Sequence, residues 1–309
     1  MRYFRKSLYD IKSEEHFVAH EDDLKEKGEF RDKGKYSSAI TFEYFKYWND
    51  LELESVGDIK SKIRDNICMT ERKNDLLYEK YAKKHGMSCE EYKESLQDYI
   101  SRIANNMEFF RATTEKSLKR ILEKKGEWKT QFETENGGGG MFDQILRAKI
   151  EKNMFDFPED KNDNTGKRPV YGYFTVNGSF PKDILDHYGG VQCKFFKKSM
   201  LQYSTITFQD TVVEQSFPPT PASMPHFTSI LINDKFDPLE FLEKLENDNK
   251  QLKCTEAQYH KHPNYSDIEA IYVKYNEADD IYKRIKDIVD NYNIENPFSA
   301  IEFKKIKGY

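Results

Sequence analysis

Three side chains in this sequence have the types and the order to share one reaction. Arg111 ends the short apolar run Met107-Glu108-Phe109-Phe110. Thr134 closes Gln131-Phe132-Glu133-Thr134, just ahead of Asn136 and the glycine run Gly137 to Gly140. Glu269 sits inside Ser266-Asp267-Ile268-Glu269-Ala270-Ile271. An arginine's planar fork binds phosphate or ribose oxygens in pairs. A carboxylate beside a ribose stabilises the positive charge that develops as a glycosidic bond breaks. A hydroxyl at a strand end orients both groups without adding charge. Placed on three neighbouring strands, the set suits rupture of the nicotinamide–ribose bond of NAD.

Each of the three also has an ordinary reading. Arg111 can be a surface residue at a strand end, Thr134 a turn residue before glycines, and Glu269 an exposed strand glutamate. The other chemistry-bearing residues are weaker. His260 and His262 share a strand face, but no third ligand is evident, so no metal site is expected. Cys193 lies in an apolar strand and reads as core filler. The four cysteines, Cys68, Cys89, Cys193 and Cys254, form no C-x-x-C pair and fit neither a zinc site nor a disulfide framework.

The elements that must position these residues follow from periodicity. Residues 1–60 are polar and aromatic without a sustained period. Over 60–105, Leu76, Leu77 and Tyr81, then Tyr92, Leu96, Tyr99, Ile100 and Ile103 recur at three- and four-residue spacing, which predicts two helices. Gly86 ends the first. Ser88 caps the second, with Glu90 and Glu91 in its first turn. Met107 to Ala112 reads as a strand. Thr113 to Lys116 opens a helix with Leu118, Ile121 and Leu122 on one face, stopped by Gly126. Glu127 to Thr134 alternates like a strand. A helix follows over 141–155, then a polar loop over 156–167. Strands are expected at Val170–Val176, Val191–Phe196, Tyr203–Phe208, Phe227–Ile232, Ile268–Tyr275 and Ile301–Ile306, with helices at 238–250 and Asp280–Tyr292. Strands with inserted helices and no regular βαβ alternation predict an α+β chain. The expected organisation is a helical, charged first region, 1–105, ahead of a mixed, mainly antiparallel sheet domain, 106–309. Neither a G-x-G-x-x-G loop nor a Walker loop is present.

The order of an arginine on a first strand, an aromatic-x-Ser/Thr motif and a late glutamate is similar to the Arg–Ser–Glu class of ADP-ribosyltransferases. More narrowly, Gln131-Phe132-Glu133-Thr134, Arg168-Pro169-Val170-Tyr171-Gly172, Thr205-Ile206-Thr207-Phe208-Gln209-Asp210-Thr211 and Ile268-Glu269-Ala270 resemble an uncharacterised bacterial family. Its pattern runs Q-F-E-T, R-P-x-Y-G, T-F-T-x-G-D-S and Y-I-E-A-Q. The resemblance covers about residues 106–275; residues 1–105 match nothing in it. It implies an ADP-ribosyltransferase-like fold and transfer of ADP-ribose from NAD, as substrate, to a protein acceptor, as in a toxin or effector. It assigns Glu269 as catalytic carboxylate and Asp267 as an aid to the acceptor. Arg111 would hold the NAD phosphate or ribose, and Thr134, with Phe132, the nicotinamide side of the pocket. Arg168 and Tyr171 would line the cofactor site, with Thr205, Thr207 and Asp210 of second rank. The departures are Glu133-Thr134-Glu135-Asn136 for Ser-Thr-Ser, Gln209-Asp210-Thr211 for Gly-Asp-Ser, and Asp267 two residues before the glutamate. They leave the acceptor residue open.

Composition limits the rivals. Lys and Arg number 49 against 54 Asp and Glu, a net charge of −5, so no broad basic field exists for nucleic acid. Lys194-Phe195-Phe196-Lys197-Lys198 reads as a solvated strand end. Aromatic residues make up 14% of the chain, enough large side chains for a core despite few aliphatics. No signal peptide and no run of about 18 apolar residues is visible, which predicts a soluble, cytoplasmic protein or one delivered by a non-classical route. The alternatives to a transferase are an NAD glycohydrolase, an inactive interaction module with the same fold, and a metal-dependent nuclease using Asp210 and Glu269. The module predicts that Arg111, Thr134 and Glu269 stand apart, the transferase that they converge.

Overall fold

A computed structural model of the chain describes residues 77–135, 143–176, 178, 180, 182–207, 237–247, 255–275 and 280–306. The expected strand at Phe227–Ile232, Asp210 and the glycine run lie outside the described residues.

The chain is described from within a helix, α1 (77–84), which Gly86 closes at φ +67°. Helix α2 (Cys89–Asn106) begins on a reciprocal cap: Glu91 N donates to Ser88 Oγ and Ser88 N donates to the Glu91 carboxylate. Its stripe Tyr92, Leu96, Ile100 and Ile103 is buried, as the spacing predicts. The helix passes without a loop into β1 (Met107–Thr113), so this described end of the first region packs in the same core as the sheet. Thr114 caps α3 (Glu115–Glu123), which buries Leu118, Ile121 and Leu122.

After α3 the expected strand over Glu127–Thr134 does not form. Glu127 makes a single bridge to Asn264, and Gln131–Thr134 coils into a one-turn helix, α4. The cause is local. Thr130 and Glu133 exchange hydrogen bonds in a Thr-x-x-Glu capping box, which satisfies the backbone donors that a strand would have to pair elsewhere. There follow α5 (Gln144–Phe155), capped by Asp143, and β2 (Val170–Val176). Next come α6 (Lys182–Tyr188), β3 (Val191–Phe195), α7 (Lys197–Tyr203), β4 (Ser204–Thr207) and α8 (Pro238–Asn247). The described chain ends with β5 (Glu256–Tyr259), β6 (Ile268–Lys274), α9 (Ile281–Glu295) and β7 (Glu302–Ile306). Strand β5 and helices α6 and α7 have no counterpart in the sequence reading.

The strands form one seven-stranded sheet in the order β4-β5-β2-β1-β3-β6-β7. All described neighbours run antiparallel except β6 and β7, which are parallel and joined through α9. The α+β class is therefore as expected. Because side chains alternate across a strand, the register sorts residues onto two faces. One carries Phe109, Phe174, Cys193, Phe195, Ala257, Tyr259 and Ile271, and packs with α2, α3, α8 and α9 into the main core. The other carries Phe110 and Tyr173, stacked at 5.5 Å and packed with Ile184 of α6, together with a row of polar residues.

A polar knot ties α8 to the first two helices. The buried Asp237, just ahead of α8, accepts from Leu239 N, Tyr92 Oη, His85 Nε2 and Lys84 Nζ. Burial alone would raise its pKa; the bonds from His85, Lys84 and Tyr92 overcome that and hold it below the ordinary carboxylate value. Lys84 also bonds Glu240 at 2.6 Å. His85, Asp237 and Glu240 offer ligand atoms within 4.8 Å of one another, but the Lys84 ammonium already bridges both carboxylates and neutralises one of them.

Candidate functional site

Arg111 and Glu269 fall on opposite faces of the sheet. Arg111 pairs with Cys193, whereas the neighbouring Phe110 pairs with Lys194, so Arg111 shares the face of Cys193 and Lys194 lies on the other. Glu269 is at an irregularity of the β3–β6 pairing, where Lys194 faces Ala270 and Phe195 faces Ile268. Its carboxylate meets Lys194 Nζ at 3.0 Å, and the same ammonium bonds Glu108 at 2.7 Å. Partial burial works against the Lys194 charge, but the two carboxylates overcome it and raise its pKa.

Arg111 is half-buried against the main core. It donates to the Tyr171 carbonyl, its Nε finds no acceptor, and no carboxylate of the described residues pairs with it. Desolvation lowers its pKa to about 10. A half-buried cation whose Nε is shut away from water and which has no counter-charge lowers stability. We therefore expect Arg111→Met, of similar length, to be more stable than the wild type at neutral pH, by about 1–3 kcal/mol. The sign follows from the shift. A base with a lowered folded pKa destabilises while charged, so the gap should close as pH climbs above about 10 and the native guanidinium loses its proton. Urea unfolding at neutral and alkaline pH measures both.

Thr134 ends α4, exposed, and its hydroxyl donates to the Thr130 carbonyl at 2.9 Å. Asp267 is also locally committed. It accepts from Asn264 N at 2.9 Å as the closing residue of a capping box in the 3-10 turn Tyr265–Asp267. The trio named by spacing is thus dispersed: a core-facing arginine, a helix-end threonine and a lysine-paired glutamate.

The motif segments nevertheless converge elsewhere. The Arg168 guanidinium, fully buried, stacks on the Phe132 ring at 4.2 Å and pairs with Glu151 of α5 at 2.7 Å. It also donates to the carbonyls of Pro158, Asp160 and Asp163, gathering the polar loop before β2 around itself. The other oxygen of Glu151 accepts from Tyr171 Oη at 2.8 Å, and Arg147 lies over the Tyr171 ring at 4.1 Å. Tyr171 pairs in register with Gln258 of β5. From Gln258 the network continues to Thr205 at 2.8 Å, to Thr207 at 3.0 Å and to Glu256 at 2.9 Å; Thr205 meets His260 at 2.9 Å. Q-F-E-T and R-P-x-Y-G therefore meet through side chains around Glu151, and the Thr-x-Thr of β4 joins a second group around Gln258, the register partner of Tyr171. Two glutamates stand in that company, Glu151, committed to Arg168 and Tyr171, and Glu256, 6% exposed; Glu269 is not among them.

Glu256, Gln258 and Glu151 were missed by sequence reasoning, and His260 was read only as a weak metal ligand beside His262. A signal did exist: Glu256-Ala257-Gln258 holds the unbroken E-A-Q of the family pattern, where Glu269-Ala270 is followed by Ile271. Burial sets the chemistry here. Desolvation raises Glu151 above the ordinary carboxylate range despite its bonds to Arg168 and Tyr171. Desolvation likewise lowers His260 to about 3, so its ring is neutral at physiological pH. Cys193, buried beside Arg111, has its thiol pKa pushed up by burial and is a poor nucleophile. Among the described residues, no helix is long and apolar enough to cross a membrane. Comparison of the chain with protein-family models and with curated proteins finds no match to either.

Proposed function

We propose that this chain cleaves the nicotinamide–ribose bond of NAD and transfers ADP-ribose to a protein acceptor, with Glu256 as the charge-stabilising carboxylate. In this reaction the C–N electron pair leaves with nicotinamide. The acceptor's nucleophile then bonds the ribose carbon and releases its proton to solvent; water in its place gives the glycohydrolase reaction. The observation that supports the reading is that Phe132, Arg168 and Tyr171 meet around Glu151, while Thr205 and Thr207 reach Glu256 through Gln258, the register partner of Tyr171. These residues lie far apart in sequence, yet their two hydrogen-bonded groups adjoin where Tyr171 pairs with Gln258. A carboxylate held by an amide donor on a buried sheet face has the preorganisation that stabilises a developing positive charge.

The test is nicotinamide release and label transfer from NAD by the purified chain, beside Glu256→Gln and Glu269→Gln. We expect Glu256→Gln to lose about 10²–10³-fold in kcat, the usual scale for removing a group that meets transition-state charge. Glu269→Gln should stay within about tenfold of the wild type. The reverse pattern would return the role to Glu269. A wild type that neither turns over nor binds NAD sinks the proposal. The second reading, an interaction module on the same fold, draws on the dispersal of Arg111, Thr134 and Glu269 that it predicts: Arg111 faces the core on the side of the sheet opposite both Glu256 and Glu269.

A further inference from the structure

With Glu256 ionised, as the proposed reaction requires, the hydrogen bonds around Gln258 have only one consistent polarity. Glu256, as a carboxylate, can only accept, so the Gln258 amide must turn its NH2 toward it, at 2.9 Å. The same NH2 reaches Thr207 Oγ at 3.0 Å. The amide oxygen then faces Thr205 Oγ at 2.8 Å and must accept. Thr205 has a single hydroxyl proton, which this bond uses. Its remaining contact, His260 Nε2 at 2.9 Å, must therefore donate to it. His260 Nδ1 is buried without a hydrogen-bond partner, so a single ring proton is held at Nε2, where it has an acceptor. The far end agrees with the near end: the charge on Glu256 dictates the amide, the amide the hydroxyl, and the hydroxyl the histidine tautomer. The central link joins adjacent strands in register, Thr205 of β4 with Gln258 of β5; Glu256 lies two residues from Gln258 on the same strand, and His260 just past its end.

We infer that Thr205 and His260 are positioning residues for Glu256, acting through Gln258 to hold one amide proton on its carboxylate. The inference rests on the reading of Glu256 as the reacting carboxylate, but its geometry is testable without turnover. His260 touches neither Glu256 nor Gln258 directly in the network, and its ring is fixed from the other side by Phe155, 4.9 Å away in an edge-on contact. It thus acts as a neutral donor that sets direction.

The experiment uses the full chain, labelled with 15N, and three variants: Thr205→Val, Thr205→Ser and Glu256→Gln. Valine keeps the branched shape and strand preference of threonine but cannot relay a proton. In the wild type the imidazole 15N shifts should report a proton on Nε2 of His260. For Thr205→Val we expect kcat to fall about tenfold with the KM for NAD within about twofold, the signature of an interaction felt mainly in the transition state. The acid limb of its pH–rate profile should move to higher pH, because a lost donor no longer favours the charged carboxylate. Thr205→Ser should restore both. A proton on Nδ1 in the wild type overturns the relay whatever the activity. So does Thr205→Val matching the wild type in kcat and pH profile while Glu256→Gln is inactive. A wild type inactive on NAD overturns instead the underlying reaction, and the wild-type assay alone shows this. A Thr205→Val protein that fails to fold leaves the wild-type tautomer and the serine variant to decide.

Discussion

Arg168→Met is expected to destabilise the protein by about 3–5 kcal/mol at neutral pH, the scale for removing one partner of a buried ion pair. Arg168 and Glu151 are both fully buried and 2.7 Å apart. Methionine can keep part of the contact with Phe132 and Phe157, but it strands a carboxylate in the interior. It also releases the carbonyls of Pro158, Asp160 and Asp163, so the loop before β2 loses its anchor. A pH dependence follows. The folded pKa of Glu151 is already raised by desolvation, with Arg168 and Tyr171 holding it down. Without Arg168 it rises further. A carboxylate with a raised folded pKa binds its proton more tightly folded than unfolded, so stability is lost as pH rises through that folded value. The variant should therefore regain stability as the solution is made more acidic from neutrality, by more than the wild type does. Urea unfolding at several pH values measures this. Adding Glu151→Gln to Arg168→Met should recover part of the loss at neutral pH by removing the stranded charge. Equal losses at every pH, with no recovery in the double variant, would show that Glu151 is not the cause.

Gly172→Ala is expected to cost about 3 kcal/mol or more, at the upper end of overpacking. A Cβ at position 172 would lie 2.4 Å from the Phe110 carbonyl and 2.5 Å from the Tyr259 ring. The first of these is backbone in the central strand pair β1–β2 and cannot give way cheaply. The second is a ring lying across the glycine, pinned by its hydroxyl, which donates to that same carbonyl at 2.9 Å. Gly172 is thus the notch that lets Tyr259 cross from β5 over β2 toward β1. The position needs glycine for close approach, with no unusual backbone angle. In a double-mutant cycle, Tyr259→Ala should relieve a large part of the Gly172→Ala penalty, so the two changes should be strongly non-additive. Additive losses would place the strain on the β1–β2 backbone alone.

Much of this molecule is legible in one dimension. The Ser88 cap, the stripe of α2, the strands at β1, β2, β3, β4, β6 and β7, and the helices α3, α5, α8 and α9 follow from period and capping residues, which act within a few positions of one another. The α+β class follows from their order. Where local signals competed, the stronger local bond prevailed: the alternation of Glu127 to Thr134 gave way to the Thr130–Glu133 capping box. Three of the short motifs mark segments that lie side by side, while Ile268-Glu269-Ala270 stands apart.

Which side chains those segments present to each other was decided only in three dimensions. The side of the sheet on which a residue lands depends on register, and a register shift of one residue reverses it. Spacing could not tell that Arg111 pairs with Cys193 while Phe110 pairs with Lys194, and so could not separate Arg111 from Glu269. Nor could it show that Arg168 is consumed by Glu151 and backbone carbonyls, or that β5 inserts between β4 and β2. That insertion delivers Glu256, Gln258 and His260 to Thr205 across distances that no local pattern encodes, and it sets Gln258 beside Tyr171.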